Sequence, residues 1–540
     1  MSDNPVFSRA AVAAPHAAAS EAGRAVLAEG GNAVEAMIAM AATIAVVYPH
    51  MNAVGGDGFW LVREPRGGGG SGRVYAIEGC GIAGAAATRQ RYCNRGHDVI
   101  PQRGPEAMVT TPGAIGGWAQ AQELAAALGR QTGIGGSLPL STLLADAIRW
   151  AKDGAPVTAS EARTIHNRRD ELWAAPGFAS TYTVDGKIPE AGTLRRQSAL
   201  GATLEHLASA GLDDFYRGDV GRELAADLEA LEAPIGRADL ERTRARMVDP
   251  LSMPIPGATL YNFPPPTQGL ASLIILGLFS RLGVTRGEGF DHIHGLVEAT
   301  KRAFRVRDAV VTDPFRLPRD PNEFLTRDWL DKEAQRISSR QAAQFPLAWG
   351  EGDTVWMGAI DESGLAVSYI QSIYWEYGSG CVMPRTGVLM QNRGVSFSLD
   401  PKALNALEPG RRPFHTLTPA LAAFDDGRVM AYGAMGGDGQ PQFQAAIFTR
   451  HAFGMGPWEA VDAPRWLLGR TWGSQSTSLK LENRFDPDLV RALERAGHVV
   501  EVIEEGWSDA LGHAGMLVRG ARGSVAAAHD PRSDGGSAGI

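Results

Sequence analysis

The sequence predicts an α+β layered sandwich. Helical periodicity rich in Ala, Leu and charges fills the first two-thirds of the chain, and short strand-and-turn patterns fill the last third. Composition adds a third observation: 44% apolar and 21% charged residues match ordinary globular proteins and exclude a disordered or fibrous chain. The 540 residues suffice for one or two domains.

The elements follow in chain order. Residues 20–29 read as a helix stopped by Gly30-Gly31, and Asn32 with Glu35 forms a capping box that opens the next helix. That second helix is apolar nearly all round, which predicts burial, and it ends at Tyr48-Pro49. Gly55-Gly56-Asp57-Gly58 then turns the chain into a strand over 59–62, and the glycine run 67–72 reads as a hairpin tip. Residues 138–246 are mainly helical. The uncharged helix at 269–280 is too short to cross roughly 30 Å of hydrocarbon, so it belongs to the core. Ile293, Leu296, Val297, Thr300 and Phe304 mark another helix, on which Glu298 and Arg302 are spaced to brace each other.

Character changes at Trp349-Gly350-Glu351-Gly352-Asp353. A polar, linker-like stretch at 338–344 precedes it, and strand patterns at 354–360, 365–372 and 388–391 follow it, the first two joined by the turn 361–364. A second hairpin, 421–424 and 429–432 around Asp425-Asp426-Gly427, leads into the glycine-rich run 433–439 and a helix through 447. Such a strand-to-helix junction aims several backbone N–H groups at one spot, which suits an anion or an oxyanion.

Charge and motifs narrow the function. A net charge of -8 offers no broad positive field, so neither a nucleic-acid backbone nor an anionic membrane is expected as a partner. Cys80, Cys93 and Cys381 are an odd, sparse set suited to a reducing compartment, and no secretory leader is visible, so a cytoplasmic address is expected. His292 and His294 diverge by about 200° on a helix, with no third ligand nearby in sequence. No metal and no cofactor are expected. The motifs of zinc proteases, P-loop NTPases and α/β-hydrolases are missing.

Several segments carry a resemblance. Ala19-Ser20-Glu21-Ala22-Gly23, Gly30-Gly31-Asn32-Ala33-Val34-Glu35-Ala36, Pro49-His50, Gly55-Gly56-Asp57-Gly58-Phe59, Thr111-Pro112-Gly113, Pro264-Pro265-Pro266-Thr267-Gln268-Gly269, Thr418-Pro419, Gly436-Gly437 and Asp530-Pro531-Arg532 resemble the γ-glutamyltranspeptidase family in order and spacing. They cover nearly the whole chain. The resemblance implies the N-terminal nucleophile fold, a four-layer αββα sandwich, made as one precursor and cut into two subunits that stay together. Residues 1–353 would form the large subunit and 354–540 the small one, with further dimerisation left open.

On this reading the cut falls between Asp353 and Thr354, and Thr354 becomes the nucleophile. The chemistry has its own logic, because a Thr hydroxyl needs a base, and an α-amine with a pKa of about 7.7 to 8.0 on the same residue provides one near neutral pH. In the precursor the Thr354 hydroxyl attacks the Asp353 carbonyl, aided by Gly352, and water resolves the ester. In the mature enzyme the same oxygen carries the acyl group, with the Gly436 and Gly437 N–H groups holding the oxyanion.

The family pattern also breaks in places. The Arg that grips a glutamyl carboxylate is missing from Ile77-Glu78-Gly79-Cys80-Gly81-Ile82, and Val395-Ser396 stand where an acidic pair would hold the amine. Ser372 replaces an Asn, Ile370 a supporting Thr, and His415-Thr416 a pair of serines. Glutathione is therefore a poor substrate, and Arg393 is read as the group that grips a substrate carboxylate in a pocket narrowed by Tyr374, Trp375 and Tyr377. This pattern resembles the branch that includes oxamate amidohydrolases of purine breakdown. The expected function is hydrolysis of a small carboxylate-bearing amide such as oxamate, with release of ammonia. Alternatives are a glutaryl- or cephalosporin-type acylase, a γ-glutamyl hydrolase or transpeptidase, and an unprocessed homologue that only binds a ligand.

Overall fold

The computed structural model describes residues 5–65, 72–345, 353–469 and 477–540. Two seven-stranded antiparallel sheets stack face to face. The first runs Gly536–Gly539, Ala11–Ala14, Asp353–Ile360, Ala366–Tyr374, Asp57–Arg63, Val74–Gly79, Arg246–Val248. The second runs Val6–Phe7, Val525–Ala528, Ala514–Arg519, Val429–Ala434, Ala420–Phe424, Ala258–Asn262, Leu251–Ile255. Strand alternation sends one set of side chains between the sheets, where Phe59, Leu61, Trp356, Ile360, Ile370, Leu421, Ala431 and Leu517 form a thin core.

Each outer face is covered by helices, which gives the four-layer αββα order. Ala33–Val47, with every residue buried, packs on the first sheet, and Gly269–Phe279, Phe290–Val310 and Gln440–Ala452 pack on the second. The capping box at Asn32 and Glu35 forms as the sequence predicts. Asp361 ties that helix to the sheet: one carboxylate oxygen accepts from the Ala33 amide, while the other holds the Ser363 and Leu365 amides of the turn that follows its strand.

The sheets meet closely at Trp356. Its indole N–H donates to Ser368 Oγ at 2.9 Å, and Ser368 in turn reaches the Tyr432 carbonyl on the opposite sheet. A Cβ on Gly433 or Gly515 would stand 2.1 or 2.2 Å from the Trp356 ring, so these strands need glycine there.

Two expectations need correction. Residues 388–391 form no strand: Leu389 and Met390 make only isolated bridges to Val382 and Gly55, because the Gln391 and Asn392 amides donate to carbonyls of two different segments, Gly55 and Ile373. Glu298 and Arg302 do not brace each other. Glu298 pairs with Lys301 at 2.7 Å and Arg302 with Glu333 at 2.7 Å, because Glu298 also takes the Ala343 amide at 3.1 Å while Arg302 reaches the neighbouring helix Arg327–Ala334. His292 and His294 do diverge, and His294 meets His498, distant in sequence, at 2.8 Å. The glycine tip, apart from Gly72, and Trp349 to Gly352 lie outside the described residues. Among those described, no helix is long and apolar enough to cross a membrane.

Candidate active site

The site begins with strand register. Pairings Asp353↔Tyr374 and Val355↔Gln371 flank Thr354 at a bulge, Ser372 faces Asp57, and Gly58 faces Gly79, one step before Cys80. Alternation puts Thr354, Ser372 and Asp57 on the same face as Trp356, Ile370 and Phe59. Thr354, Ser372, Asp57 and Cys80 thus make a row of buried polar groups across one end of the first sheet, opening toward the second.

The second sheet supplies the facing wall. Gln440, first residue of its helix, donates from Nε2 to Thr354 Oγ1 at 3.3 Å, while its Oε1 accepts from the Thr418 amide at 3.1 Å and hydroxyl at 3.2 Å. Just before it, Gly436 and Gly437 adopt φ of +117° and +52°, left-handed conformations natural to glycine. Their carbonyls are occupied: Gly436 O accepts from the Gly439 amide, and Gly437 O from Gln268 Nε2 at 2.8 Å. Among the described residues no acceptor takes the Gly436 or Gly437 amide. Arg307, buried, locks this turn by donating to Gln268 Oε1 and Asp438 Oδ1 at 3.0 and 2.9 Å.

A buried cation lies at the other side. The guanidinium of Arg393 sits 4.0 Å over the Tyr374 ring, and Nη1 reaches Thr416 Oγ1 at 3.4 Å. Among the described residues its Nε and Nη2 have no hydrogen-bond partner and no carboxylate pairs with it. Burial pulls its pKa down to about 10, which leaves it charged at neutral pH. A lone buried cation is costly unless an anion joins it. Tyr374 itself holds φ at +82°, an unfavourable conformation for a residue with a Cβ.

His415 closes the gap between the cation and the row. Its Nε2 lies 3.1 Å from Cys80 Sγ and 3.3 Å from Asp57 Oδ2. Burial, with the Arg393 charge second, lowers its pKa to about 4, so the ring is neutral. Asp57 Oδ1 already accepts from the Gly81 and Gly113 amides and Gln391 Nε2, as an ionised carboxylate would. The His415 proton then belongs on Nε2, leaving Nδ1 bare and unpartnered. Unpartnered atoms on Asp57, Gln391, Arg393 and His415 thus collect in one buried place.

The structure therefore brings together Thr354, Ser372, Arg393, His415, Thr416, Gly436 and Gly437. It separates Tyr377, whose hydroxyl donates to Glu161 at 3.1 Å and whose ring packs on Phe178 and Tyr182 in a core of its own. Of Asp353 only the backbone is described. Gln440, Arg307 and Asp57 escaped the sequence reading as site residues, although Gln268 and Asp57 stood inside the quoted motifs.

The γ-glutamyltranspeptidase family profile matches residues 19–540. The chain belongs to that family. As a γ-glutamyltranspeptidase relative it is an enzyme, an amidohydrolase of the N-terminal nucleophile type. It is 50% identical to the oxamate amidohydrolase proenzyme of Klebsiella pneumoniae, over 100% of both chains. It is 35% identical to the glutathione hydrolase-like YwrD proenzyme of Bacillus subtilis, again over 100% of each. Among solved structures, the cephalosporin acylase from Bacillus halodurans superposes with a TM-score of 0.89 at 30% identity, covering 99% of this chain and 96% of that one.

Proposed function

We propose that this γ-glutamyltranspeptidase relative cuts itself before Thr354 and then hydrolyses a small amide that carries a free carboxylate, oxamate being the fitting substrate. The observation that carries this reading is Arg393, a fully buried guanidinium stacked on Tyr374, the strand partner of Asp353, with two nitrogens that have no partner among the described residues. A substrate carboxylate on Arg393 would complete the ion pair, and the adjacent acyl carbon would face the Thr354 hydroxyl. Gly436 and Gly437 would take the oxyanion through their free amides, and the α-amine released at Thr354 would move the proton. Ser372, His415 and Thr416 would line the acyl group.

The pieces 1–353 and 354–540 would remain together, because strands of both pair with each other within each sheet. The named substrate of the Klebsiella relative supports the oxamate assignment; a place in purine breakdown is part of the same proposal. A cytoplasmic address belongs to the same proposal and rests on the sparse cysteines.

The second reading is a glutaryl- or cephalosporin-type acylase, favoured by the close superposition on the Bacillus halodurans enzyme. Ammonia release from oxamate, set against acyl release from glutaryl amides and from glutathione, decides between them. Turnover of oxamate with little of the others is expected; preference for the glutaryl amide would transfer the assignment to the acylase reading.

A further inference from the structure

Two buried triangles of possible metal ligands occur among the described residues, Asp57–Cys80–His415 and His294–Glu298–His498. The second is spent. Glu298 accepts from Lys301 at 2.7 Å and from the Ala343 amide at 3.1 Å, and His294 engages His498 and the Ser338 carbonyl with its two nitrogens. The first is different: among the described residues Asp57 Oδ2 meets only His415 Nε2, at 3.3 Å, and that nitrogen faces only the Cys80 sulfur and the Asp57 carboxylate.

We propose that Asp57, Cys80 and His415 form an inhibitory zinc site. A tetrahedral ion with sulfur at about 2.3 Å and nitrogen and oxygen at about 2.0–2.1 Å sets N–S edges near 3.5 Å and N–O edges near 3.4 Å. The corresponding separations here are 3.1 and 3.3 Å, so these two edges need to open by only a few tenths of an ångström, and the sulfur and the carboxylate oxygen lie within 4.8 Å of each other. Thiolate, imidazole and carboxylate together suit Zn²⁺, and three protein ligands leave its fourth position open.

The protons balance. As the Zn–S bond forms the Cys80 thiol releases its proton to water, the imidazole proton shifts from Nε2 to Nδ1, and the Nε2 lone pair takes the ion. Asp57 binds as it stands, already ionised. The net gain is one positive charge beside Arg393, which opposes binding and suits an ion that acts when added rather than one that resides. Two departures from the family pattern, Cys80 in the stretch without its Arg and His415 in place of serine, create this triangle. A bound ion would sit among side chains whose charges act on Arg393 and would compete with the substrate. Only that competition rests on the proposed function; metal binding does not.

The test is a titration of the purified protein with Co²⁺ and then Zn²⁺. The expected result is a sulfur-to-cobalt charge-transfer band, displaced by Zn²⁺ and strengthened as pH rises, since a proton is released. Cys80→Ser and Cys80→Ala should both lose the band and weaken zinc binding by at least about 100-fold, while Cys93→Ser, at an exposed thiol elsewhere, should keep it. No band in the wild type, or a band that survives in both Cys80 variants, would overturn the site. With oxamate as substrate, zinc should raise KM reversibly by EDTA. Zinc bound without any rise in KM would overturn the inhibitory role, whereas no oxamate turnover at all would instead strike the proposed function.

Discussion

The Gln440 side-chain amide is held so that its N–H end, not its oxygen, meets the Thr354 hydroxyl. Thr418 donates twice to the Gln440 oxygen, and Gln440 Nε2 lies 3.3 Å from Thr354 Oγ1. A donor placed there supports negative charge growing on the nucleophile. Gln440→Ala should therefore lower kcat by about fivefold, the worth of one neutral hydrogen bond of about 1 kcal/mol, with KM little changed. Steady-state kinetics on the processed enzyme checks this, and an unaltered kcat would remove Gln440 from the account.

Arg393 predicts a split between function and stability. Arg393→Met should raise KM for carboxylate-bearing amides about tenfold to a hundredfold, through loss of a charge-assisted pair. The folded protein should not suffer, because the guanidinium has no ionic partner among the described residues and its burial is itself a cost. A melting temperature equal to or above wild type, with KM raised, is the expected pair of results. A large drop in melting temperature at unchanged KM would mark Arg393 as structural.

Buried histidines predict the acid side of the stability curve. Burial lowers the pKa of His16 and His415 to about 4 and that of His292 to about 3. Between those values and about 6.5 the unfolded chain binds more protons than the folded one, so stability falls as pH drops through this window. Each group contributes up to about 1.4 kcal/mol per pH unit. Urea melts between pH 7 and 4 test the slope, and His292→Gln should flatten it by about one proton; an unchanged slope would contradict the assignment for His292.

The sheet contact at Trp356 gives a packing prediction. Gly433→Ala would place a methyl 2.1 Å from the indole, so the ring or the strand must shift. Overpacking of this kind costs about 1–3 kcal/mol, visible as a lower melting temperature without a change in KM.

Much of this was legible before the structure. Capping residues and glycine stops declare helix ends locally, so the Asn32–Glu35 box and the turn before Gln440 could be read directly. Residues 388–391 misled because an apolar run says that a segment is buried, not that it has a strand partner. Tyr377 misled in a similar way: its neighbours Glu161, Phe178 and Tyr182 are more than 190 residues away in sequence. Thr354 and Arg393 were found as departures or matches within a pattern, whereas Gln440 acts through a contact across two sheets that no local spacing reveals.

The most direct measurement is a denaturing gel of wild-type and Thr354→Ala protein, run with an ammonia assay on oxamate. Wild type should give two bands and turnover, and the variant one uncut band without turnover. Two bands from Thr354→Ala, or activity from an uncut chain, would contradict the proposed function.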